Sequence, residues 1–368
     1  MKLFFTFLLF INFAFSLPHF SLRSGNNCQS CHVNPTGKGM RNPVGMNFAK
    51  EELKLDLEYS DFEFDNISQK RNEQISIGFD ARTLFYYEPE INQSYFLQMQ
   101  GDIYFDFQLN KKFRFYFDKG LYNNFETFIL AKILPFNGYT KIGQFTPSFG
   151  IKTDAHKTWT RSETGFGMRS EDVGVEFGFA PDNILITTGV FNGEHGGIGF
   201  PTKTAKAIIN RFEYLLPLNI ANLLIGASYY RLSQFENNRK ITNYFSGFSF
   251  NNNFTFMIEF VNKEHIYGNG QINSKLLNCI TNYEIIQGVD LRYQFETKTN
   301  VEDNHASLLN PENIYHGNLN ELKYTRHSFG LDFYPMSGVE IRPIYIVNLE
   351  PVNEIANNEL QIILHFYY

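Results

Sequence analysis

From Ile75 onward the chain alternates apolar and polar residues with a period of two. Ile75, Ile77, Phe79 and Ala81 interleave with Ser76, Gly78, Asp80 and Arg82. Phe113, Phe115 and Phe117 interleave with Lys112, Arg114 and Asp118. The same holds for Val289, Leu291, Tyr293 and Phe295 against Asp290, Arg292, Gln294 and Glu296, and for Phe329, Leu331 and Phe333 against Ser328, Gly330 and Asp332. Successive side chains of a strand leave on opposite faces, so each segment has one apolar and one polar face. The pattern predicts about 16 strands between residues 75 and 368. A soluble sandwich carries the same alternation, so the connections decide. Every second one is short, as at Asn110-Lys111, Pro181-Asp182 and Asn251-Asn252. The intervening ones are mostly longer, and two of them, 147–170 and 299–320, exceed 20 residues. Short turns on one rim and long loops on the other predict an all-β fold, an antiparallel transmembrane β-barrel of about 16 strands. An even strand count returns both ends of the barrel to the short-turn, periplasmic rim. Asp80, Arg82, Asp106, Arg114, Asp118, Asp290, Arg292 and Glu296 then line a polar lumen, wide at this strand number.

Composition agrees. Of 368 residues, 43% are apolar and 19% charged, with only one long apolar run, so a polytopic helical membrane protein is excluded. The 40 Phe and 21 Tyr exclude a chain that stays unfolded. A net charge of −6 gives no basic footprint, so nucleic acid is not an expected partner.

The apolar run is at the start. Met1-Lys2, the stretch Leu3 to Phe15 and the small-residue end Ala14-Phe15-Ser16 read as a signal peptide over 1–16. Beyond it lies Cys28-Gln29-Ser30-Cys31-His32, the spacing of c-type haem attachment. Two thiols three positions apart reach the two vinyl groups of one haem, and the next imidazole, His32, falls under the iron. The competing readings are a redox dithiol, which wants a βαβ context, and half of a zinc site, which wants a second ligand pair. For the sixth position Met40 is the candidate, with Met46 and His19 also near in sequence; packing of the methionines on the porphyrin is the alternative. Cys279, in a strand-like segment, reads as a packed free thiol. The segment 17–54 is too short to bury a haem by itself. It is expected to lean on the barrel, 75–368, across a linker, 55–74, and to fill the lumen as a plug.

The order of signal, single C-x-x-C-H and barrel resembles the fused monohaem cytochrome c–porin proteins of the bacterial outer membrane. The run Cys28 to Gly45 is similar to the haem segment of exported porin-like proteins. Lys141 to Asp172, with Gly143-Gln144-Phe145-Thr146-Pro147-Ser148-Phe149-Gly150, resembles phosphate-selective-type porins. The ending Leu360, Ile362, Leu364, Phe366, Tyr368 resembles the terminal strand read by the outer-membrane insertion machinery. The resemblance implies one covalent haem c, with thioethers at Cys28 and Cys31 and His32 as axial ligand. It implies contact with outer-membrane lipid, a periplasmic redox partner such as a soluble cytochrome, and electron transfer across the membrane. Ferrous iron outside the cell is the candidate substrate, which would make the protein an iron oxidase. The alternative is a diffusion porin whose haem segment is a plug or redox gate. Loop 147–170, with Asp154, His156, Arg161 and Glu163 and with Glu171 and Asp172 at its end, is the candidate iron entry, a solvated porin loop being the other reading. His195, His265, His305 and His316 are expected in loops of that rim and are assigned no role.

Overall fold

The structure, a computed structural model, describes residues 18–55, 68–121, 125–155, 157–193, 204–234, 237–267, 270–302, 322–351 and 357–368. The expected signal peptide lies outside the described residues, as do His156, His195, His305 and His316.

Sixteen strands form one closed antiparallel barrel in which each pairs with the next and the last closes on the first. They are β1 Ile75–Glu88, β2 Gln93–Gln108, β3 Phe113–Gly120, β4 Phe125–Leu134, β5 Gly138–Phe145, β6 Asp172–Phe179, β7 Ile184–Phe191 and β8 Ala207–Pro217. The second half comprises β9 Ala221–Leu232, β10 Asn237–Phe250, β11 Phe254–Tyr267, β12 Gly270–Ile286, β13 Val289–Glu302, β14 Leu322–Met336, β15 Val339–Leu349 and β16 Glu359–Tyr367. The short connections turn as their residues dictate. Asn251 and Asn252 both take left-handed backbone (φ 48° and 58°), as a two-residue hairpin turn requires. The closing register sets Asp80 opposite Tyr367 and Thr83 opposite Leu364, so the last strand seals the first without a slip.

The burial of side chains is inverted relative to a protein in water. Phe79, Ile103, Ile142, Leu291 and Phe329 are each more than 40% exposed on the outer face. Asp80, Asp106, Asp118, Glu126, Asp290 and Glu296 are buried on the inner one. A barrel satisfies all its backbone groups within itself, and an apolar outer band with a polar interior is the surface that hydrocarbon stabilises. Among the described residues no helix is long and apolar enough to cross a membrane.

Two chain segments fill the lumen. The first is residues 18–55, with α1 Pro18–Ser24, a 3-10 turn Cys28–Ser30 and α2 Pro43–Glu51. Asn42 caps α2, its side chain accepting from Val44 N at 2.9 Å and Gly45 N at 3.1 Å, with Pro43 at the first helical position. Leu22 of α1 packs among Leu215, Leu224, Phe245 and Met257 of the wall. Phe20 joins Phe48, Leu53, Tyr334 and Tyr367. The second segment is the connection between β5 and β6, which carries the short helix α3 Trp159–Ser162. It was expected over the outer rim, but it turns inward. Gly150 N donates to Ser228 Oγ and Ile151 N to Glu259 Oε1, each at 2.9 Å.

Three further expectations change. His265 is on β11, not in a loop, because β11 and β12 run on to Tyr267 and from Gly270 through polar sequence with no alternation. Cys279 is free, but it sits on the outward register between the inward Asn278 and Ile280, opposite Ile258, and is only partly buried. Tyr368 keeps the register of Leu364 and Phe366, its ring 6.0 Å from that of the outward Phe79 and its amide donating to Phe79 O at 2.8 Å, but it is only 3% exposed and so is covered at the short-turn rim instead of open to lipid.

Candidate functional site

The Cys28–His32 motif lies inside the barrel, on a turn closed by its own backbone. Cys31 N and His32 N both donate to Cys28 O, at 3.2 and 3.1 Å, which gathers two thiols and an imidazole on one turn. The chain then folds back as a small hairpin. Val33 N donates to Met40 O at 3.1 Å, Asn42 N donates to Cys31 O at 2.7 Å, and His32 pairs with Arg41. The turn between them uses left-handed backbone at Gly37, Lys38 and Gly39 (φ 80°, 71° and 67°). A Cβ on Gly39 would lie 2.4 Å from the Tyr116 hydroxyl, so only glycine lets the turn approach the wall. A Cβ on Gly37 would stand 3.5 Å from Cys28 Sγ, so the returning chain lies directly over the motif.

Long-range charge fixes this hairpin. Lys38 Nζ donates to Thr146 Oγ1 at 2.8 Å, Glu126 Oε1 at 3.1 Å and Glu171 Oε1 at 3.3 Å. Desolvation works to lower the pKa of this ammonium, but Glu126 and Glu171 outweigh it and hold the pKa above the ordinary lysine value. Lys152, whose Nζ reaches Thr36 Oγ1 at 2.8 Å, shows the opposite balance: burial, with Lys141 nearby, lowers it to about 7. At the end of α1, Arg23 pairs with Asp290 and with Glu284 at 3.1 Å, and the Asn222 amide donates to the carbonyls of Leu22 and Arg23 at 2.9 Å each.

The thiols are not reactive thiolates. Burial pushes Cys28 to about 11 and Cys31 to about 12, which disfavours a redox dithiol. Among the described residues no three His, Cys, Asp or Glu gather as a metal would need, so the zinc reading has no second half. What remains is two neutral thiols and an adjacent imidazole on one turn, with a cavity of about 160 Å³ against His32. That donor set has the chemistry of c-type haem attachment.

The sixth-ligand candidates divide. His32 faces the cavity lined also by Lys38, Arg41, Met99 and Met168. Met40 is on the other face of the hairpin, packed in the cluster of Tyr104, Tyr116 and Phe128, and it lines with Met46 a separate cavity toward the short-turn rim. His19 packs on Phe20 at 4.0 Å, and its buried Nε2 has no hydrogen-bond partner. Met99 and Met168, which do share a cavity with His32, sit on β2 and in the inward loop, far from the motif in sequence.

The structure does not bring the candidate iron-entry carboxylates together. Asp154 is ion-paired with Arg342 at 2.6 Å, Arg82 at 3.7 Å and Arg292 at 4.0 Å. Burial would raise its pKa, but Arg342, Arg82 and Arg292 together hold it well below the usual carboxylate range. Glu163 pairs with Lys298 and Glu171 with Lys38, while Asp172 accepts from the amides of Val173 and Gly193. Arg161 donates to Phe149 O and fastens the loop to itself.

No family model matches the chain, and no curated protein does. Solved structures do. OmpT, an outer membrane protein of Vibrio cholerae, aligns at TM-score 0.60 and 11% identity over 82% of this chain and 99% of its own. Pseudomonas putida OprB aligns at TM-score 0.59 and 10% identity over 80% and 94%. A refined porin structure aligns at TM-score 0.52 and 9% identity over 80% and 100%. The chain thus shares the closed antiparallel barrel fold of these outer-membrane proteins.

Proposed function

We propose that this chain is a bacterial outer-membrane barrel of the porin type, in contact with lipid, whose passage is controlled by a resident plug, residues 18–54, bearing one covalent haem c. The observation that carries the reading is the docking of that segment in the lumen: Arg23 on Asp290 and Glu284 at one end, Lys38 on Glu126 and Glu171 at the other. Both anchors unite a plug cation with a buried wall or loop carboxylate, so release strands unpaired charge. Arg41 borders both the His32 cavity and the one toward the short-turn rim, and its guanidinium lies 4.0 Å from the Tyr367 ring centre. It is the partition between the two halves of the passage. Cys28 and Cys31 would hold the haem through thioethers and His32 would ligate its iron, while Met99 and Met168 border the His32 cavity and Met40 borders the other. When bound, such a group supplies a one-electron couple set by its ligands and burial.

Electron transfer across the membrane is the second reading. It is favoured by the cavities on each side of Arg41, one of them bordered by His32. In that reading a soluble periplasmic cytochrome exchanges electrons from below, and ferrous iron in the lumen is a small enough donor from above.

The test is expression with c-type haem maturation machinery, followed by intact mass, absorbance and bilayer current at oxidising and reducing potentials. The gate reading expects a covalent haem and a current that changes with potential, both lost in the Cys28→Ala/Cys31→Ala double variant. Fast haem reduction by ferrous iron with a constant current favours the second reading. A mature protein without haem absorbance contradicts both.

A further inference from the structure

A second cavity, about 470 Å³, adjoins the His32 cavity and shares Arg82, Met99, Asp154, Met168 and Arg169 with it. It lies between the inward loop and the wall formed by β1, β2 and β13 to β16. Its lining breaks the rule of the lumen. The inward register of β1 carries Asp80 and Arg82 and then Leu84; that of β15 carries Glu340 and Arg342 and then Ile344 and Ile346. On β16, Ile363 falls on the same inward register as His365. Leu97 stands opposite Leu84. Apolar side chains have been placed where the same strands elsewhere present charge. Leu84 and Ile363, 2% and 9% exposed, already cover each other with Met99 and Ile344 against them, whereas Leu97 and Met168 at the same cavity are 48% and 55% exposed, which in a water-filled lumen is unfavourable unless an apolar group covers them.

The charges at this cavity are uneven. Its carboxylates have partners: Asp154 and Glu340 on Arg342, Glu296 on Arg326, Glu359 on the Gln361 amide. Two of its cations do not. Lys157 and Arg169 are exposed to the cavity and have no carboxylate partner among the described residues. Lys157 faces only the Tyr86 ring, 5.5 Å from its centre. Arg169 takes left-handed backbone (φ 52°), a conformation a non-glycine residue adopts rarely.

We infer that this slot binds an amphiphilic carboxylate, its apolar body against Leu97, Ile344 and Ile346 and its anionic head on Lys157 and Arg169. An apolar wall alone would take a neutral molecule, and two cations alone would take any small anion. The combination selects a molecule that has both parts, because each part leaves water only when its own partner is present.

The probe is 4-phenylbutyrate, titrated calorimetrically into the full-length protein in amphipol, with butyrate and 4-phenylbutan-1-ol as controls. Phenylbutyrate is expected to bind saturably at one site, and both controls about tenfold more weakly or less, about 1.4 kcal/mol. The Lys157→Gln/Arg169→Gln double variant, changed only at exposed positions, is expected to lose about tenfold for phenylbutyrate and nothing for the alcohol. Ile346→Ser is expected to weaken phenylbutyrate and the alcohol together. The inference is overturned if phenylbutyrate does not bind, if the alcohol or butyrate binds as tightly, or if the double variant binds phenylbutyrate unchanged.

Discussion

At the scale of single residues, the chemistry is set by where charge is buried. Arg23 and Asp290 have side chains 10% and 1% exposed, so removing Asp290 leaves the Arg23 cation with Glu284 alone, which is itself partly exposed. Asp290→Ala is expected to weaken plug docking by about 1.5–3 kcal/mol, seen as protease cleavage within residues 18–54 under conditions where the parent chain is protected. Lys152 gives a pH dependence with a definite sign. Its folded value, about 7, lies below the ordinary 10.5, so between these limits the unfolded chain holds a proton that the native one lacks. Its contribution therefore becomes more favourable as pH rises from about 7 to 10.5 and is least favourable below 7. Lys152→Met is expected to raise the melting temperature at neutral pH and to flatten that rise, by thermal melting in detergent across the range. Cys28, Cys31 and His32 were legible in the sequence because attachment chemistry fixes a local spacing. Arg23, Lys38 and Lys152 were not, because their partners or their burial come from segments remote in the chain. Met40 was proposed for its nearness in sequence, and the hairpin turns it to the opposite face from His32, where Tyr116 takes its amide.

At the scale of elements, the strands were the most legible part. Period two and asparagine or proline turns located all sixteen, because a wall between lipid and a polar lumen needs a different residue on each face. The misread ends follow the same physics. Where β11 and β12 extend past the apolar band, both faces turn polar and the alternation disappears. The direction of the 147–170 loop was not legible, since the three arginines that hold Asp154 come from β1, β13 and β15. Among the described residues Asp154 is the carboxylate paired with all three arginines, Asp332 joining only Arg292 and Arg342, and Asp154→Asn removes that shared charge. The loop is then expected to become accessible to trypsin near Lys157 and Arg161, which limited digestion would show; an unchanged digestion pattern would remove Asp154 as its fastening. The sign with pH is also fixed. The Asp154 carboxyl is depressed, so its stabilisation is present above the unfolded value of about 3.9 and is lost only as pH falls through the much lower folded one. Loop protection is therefore expected to persist at pH 5.

At the scale of the molecule, barrel and plug are one unit. The wall supplies carboxylates the plug neutralises, and the plug supplies the apolar faces of Leu22, Phe20 and Phe48 that the lumen would otherwise leave wet. The sequence implied a plug only by size, from a segment too short to fold alone beside a lumen too wide to be empty. Residues 18–55 pack against the inner wall, while the haem they are proposed to carry rests on the motif's chemistry. The most direct measurement is single-channel conductance in planar bilayers for the full-length chain and for a deletion of residues 18–54. The account predicts low or no conductance for the full-length barrel and a several-fold larger, stable conductance for the deletion. Equal conductance of the two proteins would contradict it.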